Sequence, residues 1–205
     1  MRLRIRFRKV DDLRWISHRD LVRAMERLFR RANLKLRMSE GFHPKPRMSF
    51  PSALALGVEG LDEVMELELA EAVDAQDVRQ RLNHLAPPGL VITGVWLVEP
   101  AAGKMRVQSM AYHFPLPGDR RDGVRKTVAD IMHQPHILVT REGRQEPIDV
   151  RAGLEELTVA DGKLKFRIRA SRSASVRPRD LLDLLKLADL ESEGYYLTRT
   201  SVELM

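Results

Sequence analysis

Ser39-Glu40-Gly41-Phe42-His43-Pro44-Lys45-Pro46-Arg47-Met48-Ser49-Phe50 is the stretch on which the reading of this chain turns. Gly41, Pro44 and Pro46 deny it a continuous helix, and prolines at alternate positions favour an extended backbone. The stretch therefore reads as an extended insert that separates a helix from the strands that follow. Lys45 and Arg47 supply charge, and Phe42, His43 and Phe50 supply flat rings. Cations interleaved with rings on an extended backbone suit a groove for phosphates and unstacked bases. A Pro-pinned crossover with its aromatics tucked into the core is the structural alternative.

Working outward, Arg2–Val10 alternates Leu3, Ile5 and Phe7 with Arg2, Arg4, Arg6 and Arg8, the period of a half-buried strand. Ser17 is a natural N-cap for a helix running to about Asn33, with Asp20 in its first turn. Leu34–Met38 reads as a short extended piece. Beyond the insert, Met48–Val58 and Glu63–Leu69 read as a hairpin turning at Val58–Asp62. Ala75–Leu85 has the apolar spacing of a helix, stopped by Pro87-Pro88-Gly89. Leu90–Val98 completes the set, and Glu99–Gly103 reads as a linker.

The pattern recurs. Met110–Pro115 reads as a strand and Gly123–His133 as a helix, with short extended pieces at Ile137–Arg141 and Ile148–Val150. Leu154–Val159 and Lys163–Ala170 form a hairpin on Asp161-Gly162. Pro178–Leu187 is a helix with Pro near its start, and Tyr196–Leu204 a closing strand. The expected fold is α+β: tandem ferredoxin-like (βαββαβ) sandwiches, each with an extra extended segment before its hairpin. The expected domains are residues 1–100 and 108–205.

Residues 1–50 hold fifteen Lys and Arg against five Asp and Glu, a net +10. Since the whole chain carries +6, the other 155 residues sit at −4. That asymmetry points to a polyanion partner for the N-terminal part, nucleic acid before membrane surface. No apolar run approaches the ~20 residues that span a bilayer, and the N-terminus lacks a signal-peptide core. Zero cysteines exclude disulfides and thiolate-held zinc or iron–sulfur clusters. A cytoplasmic protein without a cofactor of its own is expected.

Each charged motif has a competing structural reading. Arg4 and Arg6 would face Glu66 and Glu68 if the first strand pairs with the third, which would neutralise much of the stripe. Lys163, Lys165, Arg167 and Arg169 form a similar stripe. On the first helix, Arg19, Arg23 and Arg30 fall opposite the apolar face of Leu21, Met25, Leu28, Phe29 and Ala32, with Arg27 flanking them. Glu26 is their one nearby acidic counterpart, so this face is the better candidate for phosphate contact. The expected nucleic-acid contacts are Arg19, Arg23, Arg27, Arg30, Phe42, His43, Lys45 and Arg47. His18 and His43, if brought together, would permit metal-free RNA cleavage by paired general base and acid. The alternatives are a half-buried structural His18 and a stacking or surface His43. No carboxylate or thiol falls at ligand spacing beside either, so no metal site is expected. Phosphate-loop, nucleophile-elbow and dinucleotide fingerprints are absent.

Arg6-Phe-Arg-Lys9, Ser17-His18 with Asp20-Leu21, Arg23-Ala-Met-Glu-Arg27, the Ser39–Phe50 stretch and Leu56-Gly57 closely resemble the uncharacterised bacterial radical SAM-associated (radical SAM-linked) protein family. Thr140-Arg-Glu142, Asp149-Val-Arg151 and Arg177-Pro-Arg-Asp-Leu181 are similar to its C-terminal landmarks. The resemblance implies a radical SAM protein encoded alongside or fused, with a cobalamin-binding-type region. It also implies neighbouring genes for ribonuclease E/G and two large-subunit ribosomal proteins. This chain has no CxxxCxxC, so any cluster would belong to a separately encoded partner. A tandem ferredoxin-like arrangement is also similar to that of endoribonucleases that process CRISPR repeats, an analogy of fold alone. The resulting expectation is a non-catalytic RNA-binding partner of a radical SAM enzyme that presents tRNA or rRNA for modification. The alternatives are a metal-independent endoribonuclease and a protein–protein adaptor.

Overall fold

Leu3, Ile5 and Phe7 lose nearly all contact with solvent while Arg2, Arg4 and Arg6 keep part of theirs, so β1 (Arg2–Lys9) buries one face. The computed structural model describes residues 1–141, 146–171 and 176–205. It shows a mixed α/β fold that divides into two compact units, Met1–Arg106 and Val107–Met205.

In the first unit, α1 (His18–Arg31) starts at Ser17, whose hydroxyl accepts from the Asp20 N–H and donates to the Asp20 carboxylate. It ends where Asn33 adopts φ 55°, letting the Leu34 N–H reach back to the Phe29 carbonyl. That six-to-one bond, with apolar Leu34 buried behind it, is a Schellman stop using Asn in place of Gly. Leu21, Met25, Leu28 and Phe29 pack on β1, on β3 (Glu59–Glu68) and on α2 (Ala75–Leu85). Each such side chain contributes about 1.5–3 kcal/mol when wholly removed from water. β4 (Leu90–Leu97) and β3 flank β1, and β2 (Met48–Ser49) pairs with β3. The strand order is β4-β1-β3-β2, antiparallel throughout.

The hairpin differs from expectation. Only Met48–Ser49 of the expected strand at 48–58 is paired, and the expected turn at 58–62 lies almost wholly inside β3. Pro51 offers no N–H to a ladder, and residues 53–57 are used elsewhere. Leu54 is buried, and Gly57, at φ 80°, donates to the Arg14 carbonyl in a 3-10 turn at Asp11–Trp15. Gly60 pairs with Lys9 instead of turning the chain. Lys9 is fully buried, and its ammonium donates to the carbonyls of Arg14 and Ile16, fixing the approach to α1. Glu99–Ala102, expected to be a linker, is a turn held by the Arg2 guanidinium through the carbonyls of both end residues.

β4 is an edge strand with no charged residue of its own to protect it. Asn83 of α2 covers it at one point. Its side-chain amide accepts from the Ile92 N–H at 2.8 Å and donates to the Ile92 carbonyl at 2.9 Å, as a neighbouring strand would.

The second unit has main-sheet strands and α-helices in the same order and adds a small strand pair after its first helix. It contains β5 (Val107–Pro115), α3 (Arg121–His133), a small pair β6 (Leu138–Val139) and β7 (Ile148–Asp149), then β8 (Leu154–Ala160), β9 (Lys163–Arg169), α4 (Pro178–Leu184) and β10 (Thr198–Leu204). Its main sheet runs β10-β5-β9-β8, again antiparallel. Asp161 and Gly162, at φ 53° and 70°, make the expected two-residue turn. α4 ends earlier than its apolar run implies, because Lys186 takes φ 54° and the Leu187 N–H bonds to the Leu182 carbonyl.

Three landmark residues of this half are structural. Arg141 donates through Nε and Nη2 to the nearly buried Asp180, whose carboxylate also caps α4 at the Arg177 N–H. Asp149 accepts from the N–H groups of Ile137, Arg151 and Ala152 and binds His136 Nδ1 at 2.7 Å. The His136 contact first, then the backbone donors, hold its carboxyl below the usual aspartate range. Glu142 lies outside the described residues.

Candidate nucleic-acid interface

The solvent face of α1 carries Arg19, Arg23, Arg27, Arg30 and Arg31, all exposed. Two acids answer them where the sequence pointed to one: Asp20 lies 3.5 Å from Arg23, and Glu26 2.6 Å from Arg30. Arg19, Arg27 and Arg31 enter no ion pair with the described residues. The Asp20 carboxyl is held below its ordinary range, chiefly by the Ser17 hydroxyl and then by Arg23 and Arg19. It stays ionised, yet the face keeps a cationic excess.

The Ser39–Phe50 stretch is a closed loop on the end of β3. The Ser39 N–H donates to the Lys45 carbonyl, and the Lys45 N–H donates to the Ser39 hydroxyl. Single bridges Leu36–Leu69 and Met38–Pro46 seat its stem. At the tip Gly41 adopts φ 116°, and Phe42 is 102% exposed. His43 and Lys45 are exposed beside it, and Lys45 has no ion pair among the described residues. Arg47 is half-buried, 3.7 Å from Glu68 and 3.9 Å from Glu40.

The three rings of the loop divide. Phe42 and His43 face solvent, whereas Phe50 turns inward, edge-on to Phe7 with centroids 6.3 Å apart. Phe50 is also the ring that meets His18, at 5.1 Å and 89° between planes. His18 thus sits half-buried against the core's rim while His43 stands on the exposed tip.

The arginines of β1 find the carboxylates that the strand pairing predicts, with one change of partner. Arg4 donates to Glu66 at 2.8 and 3.2 Å, and Arg6 pairs with Asp62 on the same strand as Glu66. In the second unit Lys165, Arg167 and Arg169 pair with Asp161, Glu203 and Glu155. His113 lies across the β5–β9 ladder from Lys165, and burial, then Lys163 and Lys165, lower its pKa. Among the described residues no three His, Asp or Glu side chains gather at metal-ligand spacing, and no helix is long and apolar enough to cross a membrane.

Sequence reasoning missed Trp96. This residue lies opposite Arg4 on the face of the first unit's sheet turned away from α1 and α2, and stays 51% exposed. A Cβ built on Gly94 would fall 2.1–2.7 Å from three atoms of its six-membered ring, so the indole lies across that glycine. Gly and Trp two positions apart on one strand was the available signal.

The chain belongs to the family described as "Uncharacterized protein conserved in bacteria (DUF2344)", which it matches over residues 2–178. No curated protein matches it. Among solved structures it is similar to an unknown protein from Galdieria sulphuraria. The identity is 13% and the TM-score 0.27, over 100% of this chain and 98% of that one.

Proposed function

We propose that this protein is a non-catalytic RNA-binding partner of a separately encoded radical SAM enzyme, working in the cytoplasm on tRNA or rRNA modification. The observation that carries the RNA reading is the solvent face of α1, where exposed arginines outnumber their acidic neighbours over four turns. Arginine faces of this kind take phosphates in bidentate geometry. Phe42 and His43, exposed on a tied loop beside Lys45, supply the rings and the cation that single-stranded RNA recognition uses. The order of fourth, first, third and second strand in each unit supports reading both as ferredoxin-like sandwiches. The radical SAM association rests on the resemblance of the N-terminal motifs. With no cysteine in the chain, the partner would hold the cluster and carry the chemistry.

The test is binding of labelled tRNA and rRNA fragments by anisotropy across a salt series. Counterion release gives a log–log slope of about −0.7 to −0.9 per neutralised phosphate. Reversing Arg19, Arg23 and Arg30 to Glu should weaken binding and flatten the slope. Crosslinking in cells with and without the partner would identify the RNA. Absence of binding at low salt would refute the reading and favour a protein–protein adaptor.

A further inference from the structure

The first unit carries a second surface with an exposed ring and cations, away from the solvent face of α1. Across its sheet, Trp96 on β4 lies opposite Arg4 on β1, Arg4 opposite Glu66 on β3, and Glu66 opposite Ser49 on β2. Directly opposed residues share a sheet face, so these four side chains form one row about 14 Å long, the span of a few nucleotides. At one end the indole lies flat over Gly94 with its outer face open. At the other end is a cleft of about 390 Å³, whose lining includes Arg2, Arg47, Ser49, Phe50, Glu68 and Lys104.

The charges along the row are not equivalent. Arg4 and Arg6 are committed to Glu66 and Asp62, and Arg2 to the turn at Glu99–Ala102. The Glu68 carboxylate stands 3.7 Å from the guanidinium groups of both Arg37 and Arg47, and Arg47 also lies 3.9 Å from Glu40. Lys104 is exposed and has no ion pair among the described residues. The middle of the face is therefore nearly neutral, and nearly buried at Glu66, with an exposed ring at one end and the cations Arg47 and Lys104 at the other. A phosphate trap would need free charge throughout. A short single strand needs a ring for a base and a cation for the backbone beyond it.

We propose that the face of the first unit's sheet turned away from its helices binds a single-stranded RNA segment, with one unpaired base stacked on Trp96 and a following phosphate in the cleft at Arg47 and Lys104. This rests on the RNA-binding reading and adds a site to it. Arg47 belongs to both surfaces, since it ends the exposed loop and lines the cleft. Strand entering by the loop would thus be handed to the sheet.

The two tryptophans are Trp15 and Trp96, so Trp15→Phe leaves Trp96 as the single indole reporter. That protein is titrated with a short single-stranded oligoribonucleotide and, separately, with an abasic oligonucleotide of equal length. RNA should quench Trp96 emission, and the abasic strand should leave it unchanged. In the otherwise unaltered chain, Trp96→Leu keeps an apolar cover on Gly94 but removes the stacking surface. It should lower affinity for the labelled oligoribonucleotide about five- to 150-fold with the melting temperature preserved. If it melts early, Trp96→Phe, which keeps a ring, must restore affinity, and failure to do so overturns the proposal. RNA binding with unaltered Trp96 emission, equal quenching by the abasic strand, or unchanged affinity in the Leu variant would each overturn the platform while leaving the RNA reading intact. No RNA binding by the unaltered chain at low salt would remove both.

Discussion

Replacing Asn83 with Ala tests how the edge of the first sheet is held. The substitution removes the bonds at 2.8 and 2.9 Å that tie both backbone groups of Ile92 to the Asn83 amide. At a net ~1 kcal/mol for each such bond, the loss is about 2 kcal/mol. Arg79 Nε, 3.4 Å from the same carbonyl, retains a little of it. Asp at this position still accepts from the Ile92 N–H but sets a carboxylate against the carbonyl, and should lose at least as much. Both tryptophans lie in the first unit, so intrinsic fluorescence in urea follows that unit. With an m-value near 2 kcal/mol per molar, the midpoint should fall by about 1 M. The freed edge should also make light scattering rise with protein concentration. A midpoint unchanged within about 0.2 M would refute the claim that this amide does a strand's work.

Other consequences can be checked separately. His18→Ala removes a ring packed edge-on against Phe50 and should cost about 1 kcal/mol of stability, while His43→Ala should leave unfolding unchanged and weaken RNA binding. Incubation of the unaltered protein with labelled RNA in EDTA should yield no cleavage, and cleavage lost in either variant would instead establish a nuclease. Asp180→Ala strips Arg141 of its nearly buried partner and α4 of its cap, so calorimetry should show a loss of about 3 kcal/mol or more. His113 has a folded pKa below its unfolded one, so between the two the unfolded chain binds more protons and stability falls as pH drops from about 6.5. Melting temperature should therefore fall more between pH 7.5 and 5.5 than in His113→Gln, and equal losses would contradict the cause assigned to the shift.

Periodic signals in the sequence led to the right elements. The alternation at Arg2–Lys9, the apolar stripe of α1 and the Asp161-Gly162 turn are local, so the residues that make them also announce them. Misreadings arose where a distant partner decided the outcome. Residues 58–62 resemble a turn, yet Gly60 pairs with Lys9 and Glu59 accepts from the Asp11 N–H, both from the other end of the first unit. α4 stops at Leu184 because a lysine takes the left-handed conformation that glycine usually supplies. In the candidate site, the arginine helix was legible from spacing alone. The inward turn of Phe50 was not, because it depends on Phe7 and His18. Trp96 escaped notice because its place beside Arg4 follows from sheet register rather than sequence distance.

The tie between Ser39 and Lys45 has a consequence for timing. With both ends of the loop held and Gly41 already in its left-handed bend, Phe42 is presented before any partner arrives. A tip so constrained has little backbone freedom left to lose on docking. Its encounter with a polyanion would be governed by charge steering, so the association rate should fall as salt rises. Ser39→Ala loosens the tip without touching a charge. It should slow association by a similar factor at every ionic strength, leaving the slope against salt as it was.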